Sequence, residues 1–181
     1  MVNRTSVLRR ASLTLLAAAI AISSGSAIAQ HIPSVQSTTF SNAKVDLPED
    51  LNGKVGILIL GFSQNSRDAL IEWDKKLAPD YDNSPNVLYY EMPVLTSVSK
   101  MMRGFITGKI KSSTSESARA HFLPLLDNEL SWRALAHYNK PDDAYILLVD
   151  GTGLVRWQSQ GPPTDATYST LKQKVDSLHP H

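Results

Sequence analysis

The chain has 181 residues, with 18 Lys and Arg against 17 Asp and Glu and a formal net charge of +1 at neutral pH. That balance argues against nucleic-acid binding, which depends on a strongly basic surface. The chain contains no cysteine, which removes every mechanism that would use a thiolate of its own, because serine hydroxyls do not cycle between reduced and oxidised forms as thiols do.

Residues 1–29 have the make-up of an export signal. Arg4, Arg9 and Arg10 form a positive n-region, residues 13–22 a short apolar run, and Ala27-Ile28-Ala29 a small-residue cleavage site. Ser23, Ser24, Gly25 and Ser26 interrupt the run before the roughly 20 residues that a bilayer span requires. Cleavage before Gln30 is therefore expected over retention as an anchor, with no transmembrane segment in the mature chain and a periplasmic or secreted location. The pair Arg9-Arg10 is compatible with general or twin-arginine export. Removing the three arginines leaves 15 basic against 17 acidic residues, a net charge of −2. The remaining 152 residues suit one domain without internal repeats.

Residues 30–44, rich in Ser, Thr and Gln, read as a flexible leader, and the domain is expected over 45–181. The continuous apolar run at 55–62 predicts a strand buried on both faces, parallel to its neighbours. Ser63 or Asn65 can cap a helix running to about Leu77, with Ala69, Leu70, Trp73 and Leu77 on one face, and Pro79 stopping it. Residues 86–91 alternate as a second strand that Pro93 closes. Val98, Met101, Met102, Phe105 and Ile106 recur at helical spacing and read as a buried helix face, with an adaptable Met-rich binding face as the alternative. Residues 109–117 read as a polar surface stretch, and 121–126 as a short strand placed at an edge by Pro124. A short helix over 129–137 should turn Leu130, Ala134 and Leu135 inward. A hairpin around Asp150-Gly151-Thr152-Gly153 joins strands at 144–149 and 154–157, and a terminal helix carries Tyr168, Leu171, Val175 and Leu178. The order βαβαβαββα predicts an α/β sandwich with a central mixed β-sheet flanked by helices.

Leu51-Asn52-Gly53-Lys54 before an apolar strand, Phe62 ahead of a helix start, Arg67 after it and a late Val149-Asp150-Gly151 hairpin resemble the thioredoxin superfamily, in particular its peroxiredoxin-like and thiol reductase branches. Ser63 and Ser66 stand where that superfamily keeps its two redox cysteines. Tyr90-Glu91-Met92-Pro93-Val94, Arg103-Gly104-Phe105, Tyr138-Asn139, residues 145–150 and Val155-Arg156-Trp157 resemble, in order and spacing, the mitochondrial ATP-synthase assembly factors of the Atp-ten family, themselves thioredoxin-like. The resemblance implies a role in assembling the membrane sector of ATP synthase and a protein partner. Thioredoxins place a cis-proline directly before the strand facing the redox motif, whereas here Pro141 lies three residues ahead of Ala144, which implies a shifted loop.

The degenerate redox positions Ser63, Gln64, Asn65 and Ser66 can be read as a helix cap or as a helix N-terminus offered to an anion or carbonyl oxygen. Either serine would need a base and an orienting carboxylate to act as a hydrolytic nucleophile, and the sequence places neither. Candidate binding residues around the motif and along the later strands are Phe62, Arg67, Arg103, Pro141, Arg156 and Trp157. No cofactor and no metal site are expected: His31, His179 and His181 fall in tail segments, only His121 and His137 could enter a buried site, and soft-metal delivery would lack its thiolates. Asp142, Asp143 and Asp150 lack the spacing of a calcium loop and read as turn formers. The leading expectation is an exported, non-redox thioredoxin-like protein that binds or helps assemble a protein partner. The alternative is an enzyme or small-ligand binder using the 63–66 helix start.

Overall fold

The structure, a computed structural model, describes residues 30–178. The expected export signal and the histidines at 179 and 181 lie outside the described residues. Two short strands, β1 (Val35–Thr38) and β2 (Lys44–Leu47), pair antiparallel as a hairpin. The chain continues through β3 (Val55–Gly61), α1 (Arg67–Tyr81), β4 (Val87–Pro93), α2 (Lys100–Ser113), α3 (Glu129–Leu135), β5 (Ala144–Val149), β6 (Val155–Gln160) and α4 (Asp165–Leu178). The main sheet runs in the order β4-β3-β5-β6, with β3 parallel to β4 and antiparallel to β5, and β5 antiparallel to β6. The expected α/β sandwich with a mixed central sheet is thus present.

All seven residues of β3 are buried, and their alternation explains the layers. Val55, Ile57 and Ile59 point to one side, where Trp73 and Leu77 of α1 and Leu171 and Val175 of α4 cover them. Leu58 and Leu60 point to the other, against Trp132, Leu135 and the N-terminal segment. Strand periodicity sends neighbours to opposite faces, so an uninterrupted apolar run requires cover on both.

That requirement corrects the reading of residues 30–44 as a flexible leader. Ile32 and Val35, with Val45 and Leu47 just beyond, are buried in the second core, and Phe40, 3% exposed, stacks on Phe122 with ring centroids 4.3 Å apart. The polar residues that suggested a linker are the outward-facing half of a hairpin.

Four further expectations change. Helix α1 passes Leu77 and carries Pro79 inside its last turn, since losing one amide donor near the end leaves the preceding bonds intact. Residues 121–126 do not form a strand. Leu123 N and Leu125 N donate to Glu91 O and Pro93 O, and Glu91 N and Leu95 N donate to His121 O and Leu125 O, but the pairing is reduced to isolated bridges, as a segment containing the donor-less Pro124 would be. In α3 the buried positions are Trp132 and Leu135, which leaves Leu130 on the far side at 83% exposed. Helix α2 extends through residues expected as surface loop and buries none of its side chains: Met101 is 91% and Phe105 61% exposed.

Replacing Phe40 by Ala is expected to destabilise the fold by about 3–5 kcal/mol, the usual cost of emptying a buried aromatic site. Urea unfolding measures it, and an unchanged midpoint would restore the flexible-leader reading.

Candidate functional site

The sheet edge at the end of β3 and β4 and the start of β5 gathers most of the candidate residues. A side chain at Gly61 would put its Cβ 2.6 Å from Leu70 Cδ1 and 2.7 Å from Ser66 Oγ, so the missing Cβ lets α1 begin directly against the strand. Ser66 is fully buried there, and its hydroxyl donates to Ser63 O at 2.8 Å. Ser63 Oγ accepts from the amides of Asn65 (3.1 Å) and Ser66 (3.3 Å) and donates to Asp142 Oδ1 at 3.3 Å. Ser63 therefore caps the turn that leads into α1. Its side chain occupies two of the amides an anion would need, and a carboxylate already stands beside it. Gln64 and Asn65 are exposed.

Phe62 packs edge-on against Tyr138 and Tyr145, at 5.0 and 5.5 Å between centroids. The Arg133 guanidinium lies 3.8 Å from the Tyr138 ring centre and 5.1 Å from that of Phe62, a stacked arrangement favourable to both. Glu129, one turn earlier in α3, pairs with Arg133 at 2.6 Å and also accepts from Thr96. The Tyr145 hydroxyl accepts from the amides of Asn139 (3.0 Å) and Lys140 (2.8 Å) and donates to Lys140 O (2.8 Å). These bonds fix the loop carrying Pro141, whose preceding peptide is trans, and set Asp142 against Ser63.

Arg67 donates from Nη2 to Ser113 Oγ at 3.1 Å, tying the start of α1 to the end of α2. Arg103 donates to Val98 O (2.9 Å) and Thr96 O (3.0 Å), holding the turn before α2. Phe62, Ser63 to Ser66, Arg67, Arg103 and Pro141 therefore share one edge. Arg156 and Trp157 do not. They flank the β5–β6 hairpin, where Val149 pairs with Val155 and with Gly56, five strand residues from Gly61 and so roughly 17 Å away at about 3.3 Å per residue. Arg156 forks onto Asp150 at 2.6 and 2.7 Å. Although burial pushes upward, bonds from Thr152, Arg156 and the Leu154 amide hold the Asp150 carboxyl down at about 2. Trp157 packs on the α1–α4 core.

The sequence reading missed Arg133, Tyr138 and Tyr145 as a unit, because they come from different elements and only the closed sheet brings them to Phe62. It also missed a polar network under α1. Tyr89 donates from its hydroxyl to Asp82 and Asp74, and His121 stacks on Tyr89 at 3.9 Å with Nε2 3.4 Å from Asp82 Oδ1. Glu91, 3% exposed on β4, has its carboxyl pushed up to about 8, by burial first and then by the charge of Asp74. His137 lies apart, its Nδ1 2.9 Å from Gln158 Nε2. Among the described residues no group of three or more His, Asp or Glu is arranged to hold a metal ion.

Two outcomes are expected. The folded pKa of Glu91, about 8, lies above its ordinary 4.5. Stability from its neutral form is therefore complete below pH 4.5 and is lost as pH rises toward 8. Glu91→Gln should abolish that fall, gaining on the native chain in thermal melts between pH 5 and 8; parallel pH profiles would contradict the burial argument. Separately, Ser63→Cys with Ser66→Cys should form an intramolecular disulfide on mild oxidation, since the positions bracket the turn entering α1 and a helix N-terminus favours thiolate. Intact mass under non-reducing conditions reads it, and a persistently reduced pair would contradict the motif's placement.

Comparison with known proteins agrees with this frame. Among solved structures, the chain is similar to BsSco, a member of the Sco family of cytochrome c oxidase assembly proteins, at 15% identity and TM-score 0.57, covering 83% of this chain and 94% of that one. It is also similar to a SCO1/SenC family lipoprotein from Bacillus anthracis (16% identity, TM-score 0.53, 83% and 96% covered). A third is the exposed lipoprotein thioredoxin Etrx1 of Streptococcus pneumoniae (11% identity, TM-score 0.54, 80% and 99% covered). At these identities the likeness concerns the fold, which is thioredoxin-like. A search of curated proteins gave no significant match. The sequence profile described as ATP10 protein matches residues 21–178, nearly all of the chain, and the protein belongs to that family.

Proposed function

We propose that this protein is an exported assembly factor that binds a protein component of the membrane sector of ATP synthase, and that it does so without thiol chemistry. The observation that carries the reading is the family match over residues 21–178 on a thioredoxin-like frame whose two redox positions hold Ser63 and Ser66. The absence of cysteine from the whole chain supports the non-redox part, and the composition of residues 1–29 supports export to the periplasm or beyond. No helix of the described residues is long and apolar enough to cross a membrane.

The binding edge would be the one that carries Phe62, Arg67 and Pro141 beside the capped turn, with Arg103 further along, at the turn before α2. There Gln64 and Asn65 present amide groups, and Arg133 stands one-third exposed over its aromatic bed. Arginine is among the side chains that most often dominate protein interfaces, and here Arg67 is exposed while buried Phe62 and Tyr145 support Arg133 from below. A small-ligand or hydrolytic reading of Ser63 gains no support here, because its hydroxyl is already bonded to Asn65, Ser66 and Asp142 and its acidic partner is not a base of the histidine type.

Deleting the gene from its native cells should lower the amount of assembled ATP synthase, resolved by native electrophoresis. Restoring either the native chain or the Ser63→Ala, Ser66→Ala double variant should recover it equally. Recovery by the native chain alone would favour chemistry at the serines, and an unchanged enzyme in the deletion would end the assembly reading.

A further inference from the structure

We infer that α2 is a membrane-surface helix that lies on an anionic lipid bilayer, with Met101, Met102 and Phe105 entering the interface and Lys100 and Lys109 meeting lipid phosphates. This concerns how the domain is positioned and goes beyond the assembly role. Helix α2 is the one long helix of the described residues with no buried side chain. Ile106, Ile110 and Arg103, which face the domain, are only partly covered. The outward face carries Met101 and Phe105 at i, i+4 and Met102 and Phe105 at i, i+3, exposed by 91%, 61% and 47%. Large apolar groups presented together on one solvent-facing helix mark a surface that is covered in use.

Charge selects what covers it. Between Glu91 and Glu116 the chain has no acidic residue and four cations, Lys100, Arg103, Lys109 and Lys111. Lys109 Nζ rises beside the exposed Phe105 ring, 5.5 Å from its centre, and Lys100 stands at the exposed first turn. A cationic helix with aromatic and Met residues on its open face has the amphipathic composition that inserts into the boundary between headgroups and acyl chains and is drawn to anionic lipid. A second copy of the chain would set like charges against each other, which disfavours α2-to-α2 docking. The helix also contains Gly104 and Gly108, beside which a Cβ would meet no atom within 4 Å. They weaken it intrinsically, so contact with a bilayer should increase its order.

Because the chain contains no cysteine, Met101→Cys in the full chain carries an environment-sensitive fluorophore at a single place, and Lys174→Cys on α4 serves as the control position. Vesicles of phosphatidylcholine with phosphatidylglycerol should shift the emission at 101 to the blue and leave that at 174 unchanged. Pure phosphatidylcholine should produce little shift. The effect should weaken with salt, and by about fivefold per cation removed in Lys100→Gln and Lys109→Gln. Reading the label at position 101 separates α2 from any attachment through residues 1–29. Three results would overturn the proposal: no shift at 101 on vesicles that the chain sediments with, an equal shift on neutral and anionic vesicles, or a concentration-dependent shift without vesicles, which would assign the face to a second copy.

Discussion

Everything in this fold follows from the double-sided burial of β3. A strand with Val55, Ile57 and Ile59 on one face and Leu58 and Leu60 on the other cannot stand at a solvent boundary, so the chain must supply two covering layers. Helices α1 and α4 form one. The other is assembled from α3 and the N-terminal hairpin, which come from distant parts of the sequence. The layers are locked differently. On the α1 side, buried Trp73 donates its indole N–H to Gly161 O at 2.9 Å and Asp80 ties α1 to Tyr168 and Lys172 of α4. On the hairpin side Phe40 stacks on Phe122, and the polar ties run to backbone carbonyls: Ile32 N, Phe40 N and Ser41 N donate to Gly153 O, Phe122 O and Arg119 O, and Ser37 Oγ donates to Pro124 O.

The same strand positions the candidate site. Its last residue, Gly61, admits Ser66 and Leu70 at a distance no side chain would allow, and this close approach sets the turn at residues 63–66 at the sheet edge beside Asp142. In a thiol-based protein of this frame the first position of that turn would hold a nucleophile. Here it holds a serine whose hydroxyl is used up in local bonds to Asn65, Ser66 and Asp142. The edge presents amide groups at Gln64 and Asn65, a stacked guanidinium at Arg133, and an aromatic floor built by Phe62, Tyr138 and Tyr145.

The local parts of this arrangement were legible in the sequence. The apolar run of β3, the capping serine, the hairpin at Asp150 and the α4 stripe each depend on residues within one or two turns, where periodicity and turn chemistry suffice. What escaped needed knowledge of the other layer. The hairpin at 35–47 looked polar because half of its side chains face solvent, and its apolar half gains meaning only once β3 needs cover. Met101, Met102 and Phe105 looked like core because helical spacing of apolar residues reports that a face is covered without saying by what. Arg133 gave no local signal, since its stacking partner Tyr138 lies beyond the end of its own helix and Phe62 lies on another element.

In the proposed function the β3–α1 edge, without redox chemistry, is the surface that holds an ATP-synthase component. Photo-crosslinking from native membranes tests it most directly, with a photoreactive residue placed at exposed Gln64 and, for comparison, at Thr152 in the hairpin at the opposite end of the sheet. A discrete crosslink to a membrane-sector subunit is expected from position 64 and none from position 152. Crosslinks of equal yield from both positions, or none from 64 while the complex still assembles, would contradict it.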